Sequence, residues 1–316
     1  MPVAPTIEDR FEGCLLGVAI GDALGMPFEG FPSWVVGSVL DQVQGFHESA
    51  HRGLGRGQWT DDTQMSLCLA RSLVRQGQVD PEDIAREYLG WFQSGEARGI
   101  GAITWKAMSR LEAGVGWQES GGPGEDAAGN GTAMRAAPLG LLYHGDLESL
   151  RAACALDAEI THKNTEAIAG SRAVAFLVAR LVAGASPGKD LLQEMVQFVA
   201  GTRVAENLRR ALELLERGAN SLDASEALGV GGYVVETVAR SAFCFFHAPE
   251  DFERALSVAV RAGGDTDTAA AITGAWSGVR VGRAGIPASW TEEVEGQEEI
   301  TSLARELYKA ALRRRG

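Results

Sequence analysis

Thr60-Asp61-Asp62-Thr63-Gln64-Met65-Ser66-Leu67-Cys68-Leu69-Ala70-Arg71-Ser72-Leu73-Val74 places two adjacent acids in front of a regular apolar pattern. Met65, Leu69 and Leu73 stand four apart, and Leu67, Ala70 and Val74 widen the stripe. That period is helical, so 64–74 is predicted to be an amphipathic helix with one face buried. Side-chain oxygens are expected at a helix start, and Asp61 with Gln64 reads as a capping box. A cap accounts for one acid and leaves the second unexplained.

The helical period continues on both sides. Residues 80–93 start with Asp80 at an N-cap position and Pro81 at the first helical position, followed by acids at 82 and 83 that complement the helix dipole. Residues 164–183 are Ala-rich and apolar on most faces, which predicts a central buried helix. Stretches 189–200, 204–217, 233–247, 250–262, 267–277 and 299–315 read the same way. Alternating strand-type runs are missing, so the fold class is all-α, with about ten to twelve helices. The basic end Arg313-Arg314-Arg315 reads as a helix C-terminus favoured by the dipole.

The chain has 316 residues, 45% hydrophobic and 22% charged, enough for a sizeable core. Length alone admits two domains. No long linker or repeat divides the chain, so a single domain over 1–316 is expected. Its two irregular glycine-rich stretches, 28–59 and 113–131, are expected to be functional loops. Forty glycines without a Gly-x-y period imply many turns and close backbone approaches. Forty-two acids against 29 Lys and Arg give a net charge of −13, which argues against a nucleic-acid backbone or an anionic membrane as partner. No run of 18 apolar residues is free of charge, so no membrane span is expected. Glu8, Asp9 and Arg10 precede the first apolar run, unlike a secretory signal. Cys14, Cys68, Cys154 and Cys244 lack paired spacing and are expected to be free thiols in a cytoplasmic protein.

A second acid pair lies in Gly263-Gly264-Asp265-Thr266-Asp267-Thr268, again opening an apolar helix that runs to Trp276. The glycines allow a tight turn, and Asp265 can cap. Each segment alone reads as a cap. Together, two helix starts some 200 residues apart each present two carboxylates and threonine hydroxyls. All-oxygen ligands suit Mg²⁺ or Mn²⁺. Four converging carboxylates would repel unless cations neutralised them, and two divalent cations balance four charges. Such a pair can position and activate a water.

Gly129-Asn130-Gly131-Thr132-Ala133-Met134-Arg135 follows the second glycine-rich stretch. A glycine-flanked helix start can offer N–H groups to an anion. It lacks the Gly-Lys-Ser/Thr ending of a Walker loop, and a plain turn is equally consistent. Gly99-Ile100-Gly101 reads as a helix connection. His47-Glu48-Ser49-Ala50-His51 matches the H-E-x-x-H spacing of zinc proteases, which needs both histidines on one helix face. Gly45, Gly53, Gly55 and Gly57 surround it, so the segment reads as a loop. His162, in Thr161-His162-Lys163-Asn164 before the long apolar helix, is a candidate ligand contact or a structural histidine. Tyr233, after Gly231-Gly232, is a core aromatic or a stacking platform.

These segments, in this order, resemble the ADP-ribosylglycohydrolase family, from Gly13-Cys14-Leu15-Leu16-Gly17 to about Trp276. Gly21-Asp22-Ala23-Leu24-Gly25, leading to Glu29, resembles its N-terminal signature. Thr60-Asp61-Asp62 and Asp265-Thr266-Asp267-Thr268 resemble its two metal motifs, and Gly129 to Arg135 its phosphate and ribose loop. Thr161-His162 and Gly232-Tyr233-Val234-Val235-Glu236-Thr237 also match.

The resemblance implies a compact, orthogonal helical bundle with a dinuclear Mg²⁺ or Mn²⁺ centre. Thr60, Asp61, Asp62, Asp265, Asp267 and Thr268 would be the metal ligands. Glu29 would lie at the mouth of the site. Gly129, Asn130, Gly131, Thr132 and Met134 would hold the diphosphate and proximal ribose, His162 would touch the ligand, and Tyr233 would pack near the adenosine end. The reaction implied is hydrolysis of the bond joining ADP-ribose to an arginine, a serine or another acceptor, on a protein or a small derivative. Asp61, Asp62 or Glu29 would manage the proton transfers. The acceptor would be met by 31–58 and 113–128. Two other functions stay open on the sequence: a non-catalytic ADP-ribose binder or crystallin-like structural relative, and a metal-dependent phosphohydrolase acting on a nucleotide-sugar.

Overall fold

The computed structural model describes residues 4–315, so residues 1–3 and 316 of the expected single domain lie outside the described residues. The predicted helices are present as Asp61–Gln76, Pro81–Gln93, Thr165–Val182, Lys189–Phe198, Arg203–Glu216, Val234–His247, Phe252–Arg261, Thr266–Val281 and Gln297–Arg315. Asp80 caps its helix as expected, accepting from the N–H groups of Glu82 and Asp83. Eighteen α-helical segments occur among the described residues, more than the sequence reading anticipates. Several are single turns, too short to show a period. The longest of the additions, Ile7–Gly25, is apolar or small on every face beyond its charged first turns, apart from Asp22, so it presents no stripe.

That first helix is the centre of the molecule. Its glycines at 13, 17, 21 and 25 form a ladder against Thr266–Val281, which runs antiparallel. A Cβ at Gly13, Gly17, Gly21 or Gly25 would overlap the carbonyl of Gly278, Gly274, Ala270 or Thr266 respectively. The two backbones therefore touch, which only residues without side chains allow. Part of the glycine excess thus serves a helix–helix contact and not a loop. The stretch Ile7–Phe28 is long and apolar enough, by length and composition, to cross a membrane, which the sequence reading does not anticipate. Its most apolar window is wholly buried in the protein, so it is a core helix. Its buried charges have partners: Arg10 donates to the Leu181 carbonyl, and Glu12 pairs with Arg283 and Arg305.

The glycine ladder brings the end of the first helix beside the start of Thr266–Val281. The chain leaving the first helix makes one 3-10 turn, Met26–Phe28, and then pairs with the Gly263-Gly264 turn: Gly30 donates to the Gly264 carbonyl at 2.8 Å and Gly264 to the Phe31 carbonyl at 2.8 Å. Gly263 and Gly264 both have left-handed backbones, with φ of 73° and 71°, which is why two glycines stand there. The two long irregular stretches are shorter in fact than in expectation. Residues 28–59 contain the helix Ser33–Val39 and a tight hairpin pairing Ser49 with Leu54. Residues 113–131 contain the helical turn Trp117–Ser120 and a strand, β1 (Gly122–Pro123), which pairs in parallel with β2 (His162–Lys163). All four cysteines are buried free thiols.

Candidate active site

A buried carboxylate organises the Thr60–Thr63 segment. Asp22 is fully buried in the first helix. It accepts from the N–H groups of Thr60 and Thr63 at 3.0 Å and from their hydroxyls at 2.9 and 2.6 Å. Asp22 therefore caps Asp61–Gln76 from a distance. The local capping box read from Asp61 and Gln64 does not form. Thr60, at the N-cap position, makes no capping bond, and the Gln64 amide instead bridges the Glu96 carbonyl and the Arg98 N–H. Because Asp22 serves the helix start, Asp61 and Asp62 are free to face elsewhere. Asp265 likewise sits at the N-cap of its helix without capping it. Its turn is tied down by buried Arg240, which donates to the carbonyls of Gly263 and Asp265 at 2.8 and 2.5 Å.

The two acid-bearing helix starts converge. Glu29, Asp61, Asp62, Asp265, Asp267 and Thr268 line one cavity of about 280 Å³, together with Gly129, Asn130, Gly131, Met134 and His162. Carboxylate oxygens of Glu29, Asp265 and Asp267 lie within 4.8 Å of one another, a group able to hold a metal ion. Glu29 thus joins the acid cluster itself and is more than a residue at the mouth. It also pairs with Arg52 from the Ser49–Leu54 hairpin. Asn130 ties the loop to the acids: its Nδ2 donates to Asp265 Oδ2 at 2.6 Å and to Thr237 Oγ1 at 3.0 Å. The loop itself is one helical turn, Gly131–Met134, docked on the neighbouring segment by the Asn130 N–H to the Gly232 carbonyl.

Packed this closely, Asp61, Asp62 and Asp267 resist ionisation. Burial first, then the charge of Asp22, push Asp61 up to about 7. Burial and the neighbouring carboxylates Asp22, Asp61 and Asp265 hold Asp62 well above the carboxylate range, and burial with Asp265 and Asp62 does the same to Asp267. Asp62 Oδ1 is buried without a hydrogen-bond partner. A buried carboxylate oxygen with no partner is costly unless a proton or a cation serves it. Oxygen-only donors, shared repulsion and an unserved oxygen together fit hard divalent cations.

Three predicted site residues are not on the cavity wall. Thr60 lies behind Asp62, its hydroxyl bonded to Asp22 and, at 3.3 Å, to Asp62. The Thr132 hydroxyl donates to the Ala167 carbonyl at 2.7 Å inside the core. The Tyr233 backbone pairs with Gly129, but its side chain turns to Arg203 in a separate hollow of about 580 Å³. Residues 113–128 contribute nothing to the wall. Gly99, Gly101, Ala102, Ile103 and Thr104 line it in their place. His47 and His51 are not helical and pack apart, on Phe28 and Phe31. A larger hollow, about 1050 Å³, lies near Phe176 and Phe198, and its acids Asp190, Glu194 and Glu213 stand with Arg180 and Arg209. Sequence reasoning left Asp22 and Arg240 without roles. The signal for Asp22 was present, because an acid standing alone in the apolar stretch from Gly13 to Gly25 must find partners.

The chain matches the ADP-ribosylglycohydrolase family model over residues 4–316. It is 37% identical to a protein of Archaeoglobus fulgidus, covering 97% of this chain and 98% of that one. It is 30% identical to the ADP-ribosylarginine hydrolase Tri1 of Pseudomonas putida, over 96% of this chain and 79% of the relative. It is 28% identical to the ADP-ribosylhydrolase ARH3 of Danio rerio, over 97% and 92%. A solved ADP-ribosylglycohydrolase-related protein complex superposes with a TM-score of 0.79 at 33% identity, covering 96% of this chain and 99% of its own. An all-α scaffold whose helix ends gather acids and a glycine loop in one cavity, matched along nearly its whole length, places the chain in the ADP-ribosylglycohydrolase family of glycosidic-bond hydrolases.

Proposed function

We propose that the protein hydrolyses the glycosidic bond between ADP-ribose and an acceptor, using two divalent cations, Mg²⁺ or Mn²⁺. The observation that carries this reading is the convergence of five carboxylates, from three separate chain segments, on a cavity that also holds the Gly129–Gly131 loop and His162. Asp61, Asp62, Asp265, Asp267, Thr268 and the nearby Glu29 would hold the cations. Thr60 supports them through Asp22 and Asp62. When bound, the cations would neutralise the acids and make a water nucleophilic near neutral pH. The loop backbone at Gly129 to Gly131 holds the diphosphate without a basic side chain, which suits the acidic chain. Glu29, Asp61 or Asp62 takes the proton of the attacking water and supplies one to the leaving group.

The relatives include an ADP-ribosylarginine hydrolase and an ADP-ribosylhydrolase whose name specifies no acceptor, so arginine and serine linkages are both candidates. The test is incubation with arginine-linked and serine-linked ADP-ribosyl peptides in Mg²⁺, Mn²⁺ or a chelator. Free ADP-ribose released only with metal is the expected product. Release of AMP would replace this reading with a phosphohydrolase, and ADP-ribose binding without turnover of any linkage would replace it with a binding protein.

A further inference from the structure

His162 stands on β2 with its two ring nitrogens facing different surroundings. Nδ1 faces the Thr161 hydroxyl at 2.7 Å. Nε2 faces the loop: a Cβ at Gly129 or at Gly131 would come within 3.3 Å of it. Behind Thr161 lies Arg135, fully buried. Its Nε donates to Asp157 Oδ2 at 3.0 Å, and its Nη2 donates to the Asp157 carbonyl at 3.0 Å and to Thr161 Oγ1 at 2.9 Å. The other Asp157 oxygen accepts from the Tyr88 hydroxyl at 2.7 Å, and the Tyr88 ring lies 4.7 Å from the guanidinium.

Counting protons along this chain fixes the imidazole. A guanidinium can only donate, so Thr161 Oγ1 accepts from Arg135. Among the described residues the hydroxyl hydrogen then has one partner, His162 Nδ1. A proton on Nδ1 would leave that buried hydroxyl hydrogen unpaired, a penalised arrangement. A doubly protonated ring would place a second buried cation close to Arg135. We infer that Arg135 and Thr161 are positioning residues that lock His162 as the neutral Nε2–H tautomer, a hydrogen-bond donor aimed at the Gly129–Gly131 loop side of the cavity. Consistent with this, burial and then Arg135 hold the imidazole down to about 3. A neutral donor suits a phosphate or ribose oxygen, and it neither repels cations at the acid cluster nor changes charge with pH. The use made of the donor rests on the proposed ADP-ribose site; the tautomer is a property of the free protein.

The test uses the full chain labelled with ¹⁵N-histidine, with His162 assigned by its disappearance in His162→Gln. Long-range ¹H–¹⁵N spectra should show a protonated Nε2 and a bare Nδ1 from pH 5 to pH 8. A protonated Nδ1, or an imidazolium at pH 6, overturns the inference. Arg135→Met would strand Asp157 and endanger folding, so Thr161 is the informative position. Thr161→Val should admit the other tautomer and weaken ADP-ribose binding roughly tenfold, the loss of one hydrogen bond to a charged acceptor. Thr161→Ser should restore both. Wild-type spectra and affinity in Thr161→Val also overturn it. A wild-type protein with the Nε2–H tautomer but no ADP-ribose binding leaves the relay standing and removes the proposed function.

Discussion

Thr63 donates both its backbone N–H and its hydroxyl to one oxygen of Asp22, at 3.0 and 2.6 Å. With the matching pair from Thr60, this makes the core helix the cap of the helix that carries Asp61 and Asp62. Asp22→Ala removes the acceptor of all four donor groups and leaves them buried and unserved. The expected loss is about 2–4 kcal/mol of unfolding free energy, read from urea melts. Mn²⁺ affinity should fall with it, since the helix start sets where Asp61 and Asp62 point. An unchanged urea midpoint would contradict the capping role.

The glycine ladder makes a sharper stability prediction. Gly17→Ala would drive a methyl into the Gly274 carbonyl, where no side chain can give way. It should destabilise by about 3 kcal/mol or more and lower the soluble yield, because two backbones would have to separate. Gly90 is the control: it lies inside Pro81–Gln93 with nothing within 4 Å of an added Cβ. Gly90→Ala should stabilise by about 0.5–1 kcal/mol, the ordinary helix preference. Thermal melts of both variants separate close contact from propensity.

The contrast between those two glycines shows what the sequence could reveal. Amphipathic helices such as Asp61–Gln76 were legible because a stripe of Leu and Met marks one buried face. Ile7–Gly25 has no stripe, so its place at the centre is visible only through its partner. Asp61, Asp62, Asp265 and Asp267 were legible as candidates because pairs of acids at helix starts exceed what capping needs. Asp22 was not legible as a cap because its partners lie 38 and 41 positions away. Tyr233 was legible only in part: its chain neighbour Gly232 stands on the wall, while its own side chain meets Arg203 in another hollow.

The raised carboxylates set the direction of a pH effect. Burial and the charge of Asp22 push Asp61 up to about 7 from its ordinary value of 3.8. A group raised on folding binds its proton more tightly in the native state. Its stabilising contribution is complete below about pH 4 and is lost as pH rises through about 7. Asp62 and Asp267 act in the same direction. Asp83, lowered to about 2 with Arg75 and Arg86 as partners, acts oppositely in acid, so the comparison must be with a variant. Between pH 4 and 7.5, in chelator, wild type should lose stability relative to Asp61→Asn. Excess Mg²⁺ or Mn²⁺ should reverse the wild-type loss but not benefit Asp61→Asn equally. Parallel stability curves with and without metal would refute the assignment of Asp61 to the cation site.

Asn130 offers a test that separates the metal side of the cavity from the nucleotide side. Its Nδ2 is 2.6 Å from Asp265 Oδ2, so it is the neutral donor that this carboxylate faces. Asn130→Asp replaces a donor with a second carboxylate. Without metal, the two facing carboxylates repel when both are ionised, and a shared proton relieves that repulsion. By the same sign rule, the deficit against wild type should be small near pH 4 and about 2 kcal/mol at pH 7. Mn²⁺ should narrow it, because an added carboxylate can serve a cation, whereas ADP-ribose affinity should drop at least roughly tenfold through repulsion of the diphosphate. Urea melts at the two pH values, with and without Mn²⁺, and calorimetry with ADP-ribose measure these quantities. A deficit that is equal at both pH values would show that Asn130 acts through loop packing and not through its contact with Asp265.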